Sequence, residues 1–170
     1  MERYILSFTG QFIYCLGGRV FVIYPSKNTK KNLDGERLGV KYDKMHMATA
    51  EAYANESHCP RTHVGCALVL ASGVVSGGFN GHASGGPNEW EFSPDGNPEV
   101  VHAELNSLGK CLEQGLSTKG ATMYVTLSPC LECSKLLVRA GIRRVVYRDE
   151  YRLTTGIDYL RKYNVEVEKL

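Results

Sequence analysis

The chain has 170 residues, the length of one ordinary domain, with hydrophobic (43%) and charged (22%) shares typical of a soluble globular protein. Those values exclude collagen-like, coiled-coil and wholly disordered chains. Lys plus Arg (20) against Asp plus Glu (18) give a net charge of +2, too little for a global field that draws a chain onto nucleic acid.

The charge is uneven. Residues 1–45 carry 8 basic and 4 acidic side chains, a net +4, whereas residues 46–170 carry a net −2. The texture changes at the same place, so residues 1–43 read as an N-terminal extension and 44–170 as the compact domain. Tyr4 to Tyr24 holds Arg19 as its only charge, the length of a membrane span. Ser7, Thr9, Gln11 and the glycines argue against one, and no small-residue cleavage site follows. Two aromatic and β-branched runs, Gln11–Leu16 and Arg19–Tyr24, flank Gly17-Gly18 and favour a hairpin. Residues 25–44 are polar, basic and linker-like. Met45 and Met47 open the compact part, and either is an alternative start.

From Asp43 on, helix and strand patterns alternate. Asp43–Ser57 is Ala- and Met-rich and helix-prone, ending near Pro60. His63–Leu70 and Val74–Phe79 are β-rich runs around Ala71-Ser72-Gly73, which predicts a hairpin. A Gly/Pro/Asn loop covers 80–100. A helix follows from about His102 to Gln114, then a strand Ala121–Leu127 and a helix Pro129–Ala140. Pro129 is placed at the first helical position and Gly141 just past the end. A strand Arg144–Arg148, a helix near Gly156–Tyr163 and a strand Val165–Glu168 finish the chain. Later strands joined by helices predict an α/β fold, a three-layer α-β-α sandwich around a mixed sheet.

The chemistry sits at two helix starts, His102-Ala103-Glu104 and Pro129-Cys130-Leu131-Glu132-Cys133. One imidazole and two thiolates suit Zn²⁺, and three protein ligands leave a fourth position open for water, the mark of a catalytic site. Cys130 and Cys133 can face one ion from a single helical turn, where the helix dipole favours thiolates. Glu104 lies two residues from His102, placed to take a proton from water that zinc activates near neutral pH. Six cysteines with a single C-x-x-C fit a reducing compartment and leave no second pair to complete a structural finger. A redox reading of C-x-x-C leaves His102 and Glu104 unexplained.

H-x-E with a downstream P-C-x-x-C is the zinc deaminase signature. Residues 44–168 resemble the cytidine deaminase superfamily and, within it, the deoxycytidylate (dCMP) deaminases. The segments that carry the resemblance are Ser57-His58-Cys59-Pro60-Arg61-Thr62-His63-Val64-Gly65, Gly78-Phe79-Asn80-Gly81, His102-Ala103-Glu104-Leu105-Asn106 and Ala121 through Cys130. The resemblance implies a five-stranded sheet between helices, zinc on His102, Cys130 and Cys133, and Glu104 as the proton shuttle. Water would add to C4 of cytosine and ammonia would leave, turning dCMP into dUMP for thymidylate synthesis. Asn80 would contact sugar or base, and backbone groups of Ala103 and Ser128 would line the base edge. Arg61 is the candidate for the 5′-phosphate, or else a surface arginine ending a helix. Tyr151 either walls the pocket or packs, with packing the simpler reading.

The resemblance also implies a homo-oligomer, a hexamer, with dCTP and dTTP as effectors, Mg²⁺ beside a regulatory nucleotide, and a cytoplasmic location (a host's cytoplasm for a viral protein). The 80–100 loop offers only His82 toward the second, structural zinc site that relatives build at the position of Cys59, with His58 or His63 as the remaining donors. Cys15, Cys66 and Cys111 read as small apolar packing groups. Two other functions stay open. A deaminase acting on tRNA or single-stranded nucleic acid would use the cluster Arg139, Arg143, Arg144, Arg148 and Arg152, against the −2 balance of the domain; a non-catalytic zinc-bound nucleotide sensor or scaffold would have no use for Glu104. A close variant of the first reading takes dCTP or a modified cytosine nucleotide.

Overall fold

A computed structural model describes residues 4–6, 12–16, 19–23, 42–83, 85–86 and 97–170. It divides into two compact units, Met1–Lys41 and Tyr42–Leu170. The first is described as three strands, β1 (Tyr4–Leu6), β2 (Phe12–Leu16) and β3 (Arg19–Ile23), paired antiparallel in that order. In the register Leu16 is paired with Arg19, and Gly17 and Gly18 between them lie outside the described residues. The stretch from 25 to 41, the side chain of Cys15 and the centre of the 80–100 loop lie outside the described residues. No helix among the described residues is long and apolar enough to cross a membrane.

The second unit runs α1 (Asp43–Asn55), β4 (Gly65–Val69), β5 (Val75–Phe79), α2 (Ala103–Glu113), β6 (Thr122–Leu127), α3 (Leu131–Arg139), β7 (Arg144–Asp149), α4 (Thr155–Lys162) and β8 (Glu166–Lys169). The sheet order is β5-β4-β6-β7-β8, with β4 antiparallel to both β5 and β6, and β6, β7 and β8 parallel. Parallel neighbours need crossovers, and α3 and α4 provide them.

Strand alternation sends neighbouring residues to opposite faces and so builds two cores. Cys66, Leu68, Met123, Val125, Val145 and Tyr147 face Leu108 and Cys111 of α2, Leu137 of α3, and Ile157 and Leu160 of α4. Ala67, Tyr124 and Val146 point the other way, onto Met47 and Ala50 of α1. The buried stripe of α1 is Asp43, Met47, Ala50 and Ala54, spaced at helical intervals. The result is a three-layer sandwich with α1 on one side and three helices on the other.

Two boundaries differ from the sequence reading. α3 starts at Leu131, so Pro129 is not its first residue: Ser128 N–H donates to Asp149 O at 2.8 Å, and Cys130 is still extended (φ −68°, ψ 169°). The pairing with β7 holds the chain straight for two residues past Ser128. Gly141 does stand just past the end of α3, with φ +74°, as a left-handed stop requires. The strand expected from His63 is shorter, because residues 57–64 form hydrogen bonds with Asn80 instead of extending β4.

The compact unit takes in Asp43, which the charge boundary assigns to the extension. Asp43 is buried, and Arg144 reaches both of its carboxylate oxygens at 2.8 and 2.7 Å. Tyr124 OH adds a hydrogen bond at 2.7 Å, and Glu168 pairs with Arg144 from β8. This one network joins α1, β6, β7 and β8. Burial pushes the Asp43 carboxyl up, but the Arg144 and Tyr124 hydrogen bonds outweigh it and hold the carboxyl below its ordinary value. Its stabilisation is therefore complete above the unfolded carboxylate range and disappears as pH falls through the depressed folded value. Removing one partner of a buried pair costs several kcal/mol, because the other charge stays buried. Asp43→Asn should lower stability at pH 7 by about 3 kcal/mol and the melting midpoint by ~10 °C, and the two proteins' stabilities should converge as pH drops below 4. Denaturant melts from pH 3 to 7 check both.

Candidate active site

Two helix N-termini meet at one point. His102 and Cys130 are the N-cap residues of α2 and α3, both extended and neither making a side-chain cap bond. That position is normally held by Ser, Thr, Asp or Asn; here the side chains turn toward each other. His102 Nδ1 lies 3.3 Å from Cys133 Sγ and 3.6 Å from Cys130 Sγ. Ligands at about 2.0 and 2.3 Å from a tetrahedral ion stand about 3.5 Å apart, so these separations match the edges of a zinc tetrahedron. The three donor atoms lie within 4.8 Å of one another and are the only such convergent group among the described residues. Among the described residues, His58, Cys59, His63 and His82 belong to no such group.

Without a metal the three donors share their protons unequally. The Cys130 thiol is held down at about 3, chiefly by hydrogen bonds from Cys133 and His102. The same contact keeps the proton on Cys133, whose pKa is raised. His102 is raised in turn, first by its bond to Cys130. Glu104, only 4% exposed, stands in the first turn of α2, and burial pushes its carboxyl up from the usual value. A carboxyl so placed can hold a proton nearer neutral pH. Access is from the His102 side, since His102 is exposed and Cys133 buried.

Close backbone approach makes this convergence. A Cβ on Gly78 of β5 would come within 2.4 Å of Ala103 O and 2.8 Å of Ser107 N, and one on Gly156 of α4 within 2.0 Å of Pro129 O. Each glycine lets a neighbouring element press directly on a site-bearing helix start. Cys66, read as a packing group, is fully buried and also donates its thiol to Ala103 O at 3.0 Å. Nothing in the β4 alternation distinguishes it from an apolar side chain. Gly81 and Val101 exchange two hydrogen bonds, 3.1 and 2.8 Å, which carries the Asn80 turn to the residue before His102.

The remaining candidates are placed as follows. Asn80 is buried, and its amide is mostly spent inside the protein: Oδ1 accepts from Ser57 Oγ at 2.7 Å and Val64 N–H at 2.8 Å, while Nδ2 donates to Thr62 O at 2.8 Å. Ser128 is buried after β6, and its Oγ accepts the Tyr151 N–H at 2.8 Å, tying the β7–α4 loop to the cysteine turn. Tyr151 is half-buried with the Arg152 guanidinium 5.7 Å from its ring centre. Arg61 stands exposed on the loop between α1 and β4. Of the five clustered arginines, Arg144 is buried on Asp43, and Arg148 pairs with Glu51 and Asp149 at 3.0 and 2.8 Å. The cluster therefore does not form one free basic face.

The family described as the cytidine and deoxycytidylate deaminase zinc-binding region matches residues 40–149. "ComE operon protein 2" of Bacillus subtilis (strain 168) is 33% identical over 117 residues, 66% of this chain and 62% of that protein. The chain thus spans somewhat less than two thirds of that relative. The deoxycytidylate deaminase of Mycobacterium phage D29 is 36% identical over 124 residues, 64% of this chain and 95% of the phage protein. The crystal structure of dCMP deaminase from cyanophage S-TIM5 in complex with dCMP and dUMP superposes with a TM-score of 0.71 at 41% identity, covering 76% of this chain and 97% of that one.

If the Gly156 contact seats the cysteine turn, Gly156→Ala should displace it at an overpacking cost of about 1–3 kcal/mol. Zinc per chain should then fall well below that of the unsubstituted protein when both are dialysed against the same weak chelator. Elemental analysis of the two proteins decides it.

Proposed function

The chain belongs to the cytidine and deoxycytidylate deaminase family, and from that premise we propose that it hydrolyses dCMP to dUMP and ammonia. The observation that carries the reading is the convergence of His102, Cys130 and Cys133 beside the buried carboxyl of Glu104. The phage D29 and cyanophage relatives named for this reaction, one of them with dCMP and dUMP bound, support it. His102, Cys130 and Cys133 would hold zinc, whose Lewis acidity makes water a competent nucleophile at neutral pH.

Glu104 does the proton work. It takes a proton from the attacking water and delivers it to N3 of cytosine, so that C4 becomes tetrahedral without a charge on the ring. It then passes the second proton to the amine, the C4–N bond breaks and ammonia leaves. Burial suits it to this cycle, because a carboxyl pushed up from its usual value holds a transferred proton more readily than an exposed one does. Backbone groups of Ala103 and Ser128 line the base edge, Asn80 offers its uncommitted Nδ2 hydrogen to the sugar or base, and Arg61 meets the 5′-phosphate from the exposed loop. Tyr151, fixed through its N–H on Ser128, packs beside the entrance. The reading extends to a cytoplasmic homo-oligomer, a hexamer, with dCTP and dTTP as effectors and Mg²⁺ accompanying them.

A nucleic-acid substrate is the weaker alternative, since Arg144 and Arg148 are occupied by Asp43, Glu51, Asp149 and Glu168. Ammonia release from dCMP, dCTP, deoxycytidine and a short tRNA stem-loop separates the readings. Turnover of dCMP, with and without dCTP and Mg²⁺, is expected; none with any substrate would defeat the proposal. Glu104→Gln should keep its zinc and lose at least three orders of magnitude in kcat. Retained activity in that variant would remove Glu104 from the chemistry.

A further inference from the structure

Asn80 reaches the proposed site already restrained on several sides, and Ser57 supplies a central restraint. Ser57 follows α1 and is buried. Its hydroxyl proton is shared between Asn80 Oδ1 at 2.7 Å and Asn80 O at 2.8 Å, and the same oxygen accepts Cys59 N–H at 3.2 Å. Asn80 N–H donates to Val64 O at 3.0 Å. On the other side of the turn, Asn106 Nδ2 donates to Phe79 O at 3.0 Å. The 57–64 loop, the 79–81 turn and the start of α2 are thereby one hydrogen-bonded unit.

The arrangement fixes which way the amide points. Two donors, Ser57 Oγ–H and Val64 N–H, face Oδ1, and one carbonyl, Thr62 O, faces Nδ2. A flipped amide would set donor against donor and oxygen against oxygen. One Nδ2 hydrogen is left over, and its direction is decided by protein groups alone. Ser57 also closes the loop that carries Arg61 onto this turn.

We propose that Ser57 is a positioning residue for nucleotide binding: it locks the Asn80 amide and seats the 58–63 loop, and so sets the affinity for the nucleotide without taking part in the proton transfers. It acts through Asn80 and does not itself touch the reacting atoms. The inference rests on the dCMP reading, whose own failure is visible beforehand as an unsubstituted protein that turns over no dCMP.

Ser57→Ala removes the hydroxyl and leaves Cys59 N–H and Asn80 Oδ1 short of a partner. KM for dCMP should rise about tenfold, the size of one positioned hydrogen bond, with kcat within about threefold of the starting enzyme and zinc per chain unchanged. In a Glu104→Gln background, where dCMP is not consumed, its dissociation constant by calorimetry should rise by the same factor. Ser57→Thr, which keeps the hydroxyl, should bring KM back toward the original value. A folded, zinc-loaded Ser57→Ala with unchanged KM, or with kcat lost and KM unmoved, overturns the proposal. Should Ser57→Ala yield no folded protein, Ser57→Cys carries the test: its weaker donor should give an intermediate KM, and an unaltered KM overturns the idea.

Discussion

Three donor atoms must converge from two different helices, and the geometry of the domain follows from that requirement. A helix N-terminus can turn one or two side chains toward a common point, but bringing two such ends together needs strands that end side by side. β6 leads into α3, and the turn after β5 is tied by the Gly81–Val101 bridge to the start of α2. β4 lies between β5 and β6, so the two chain segments leave the same end of the sheet and the separation to be closed is small. Gly78 and Gly156 close it, since a methyl group at either would intrude on the backbone of a site-bearing turn. Polar contacts finish the fixing: Cys66 on Ala103, Ser128 on Tyr151, and Ser57 on Asn80.

The opposite face of the sheet follows a different rule. The α1 side buries an ion pair and surrounds it with partners. Arg144 donates to Asp43, faces Glu168 and Glu166, and lies 3.5 Å from Tyr124 OH. One buried carboxylate from α1 and two partly exposed carboxylates from β8 surround a single guanidinium, so its burial is tolerated through several partners instead of one. The network crosses three adjacent strands and their covering helix, and it sets the pairing of β7 with β8 against α1. One arginine of the basic cluster Arg139, Arg143, Arg144, Arg148 and Arg152 is thus a fixed internal cation, which weakens the electrostatic case for a polyanionic substrate.

The sequence makes the order of elements legible wherever periodicity is strong and punctuation is local. β6, β7 and the two helices around the zinc signature lie within a residue or two of their expected places, because alternation and Gly141 act over short range. The cluster itself is readable because its ligand types sit at motif spacing on helix starts. Less visible are effects that depend on tertiary neighbours. The start of α3 moves past Pro129 because of a hydrogen bond to β7, 21 positions downstream of Ser128. Asp43 belongs with the core through Arg144, 101 residues away, and Tyr124, 81 residues away. Ser57, Cys66 and Asn106 lie inside or beside quoted motif segments, yet their roles depend on partners that no local pattern names. Asn80 shows the same limit: its presence is expected, but the number of its hydrogen bonds already spent on the protein is a property of the fold.

The two site-bearing helices begin without the caps that stabilise ordinary helices. Replacing a good N-cap by a poor one costs roughly 1 kcal/mol, and here His102 and Cys130 occupy both positions without capping bonds. Glu104 adds a carboxyl almost fully withdrawn from water, and burying an ionisable group is a further cost. Departures from local rules gather where function demands them. A cation offsets these costs together: it gives both N-cap side chains a partner, lets Cys133 join Cys130 as a thiolate, and places positive charge beside Glu104. Because the donors meet only in the folded chain, that binding free energy is also folding free energy. The helix starts are therefore poor ones for the chain alone and good ones for the chain with its metal, which explains why residues so unfavourable as caps occupy the two positions where the layers of the sandwich meet.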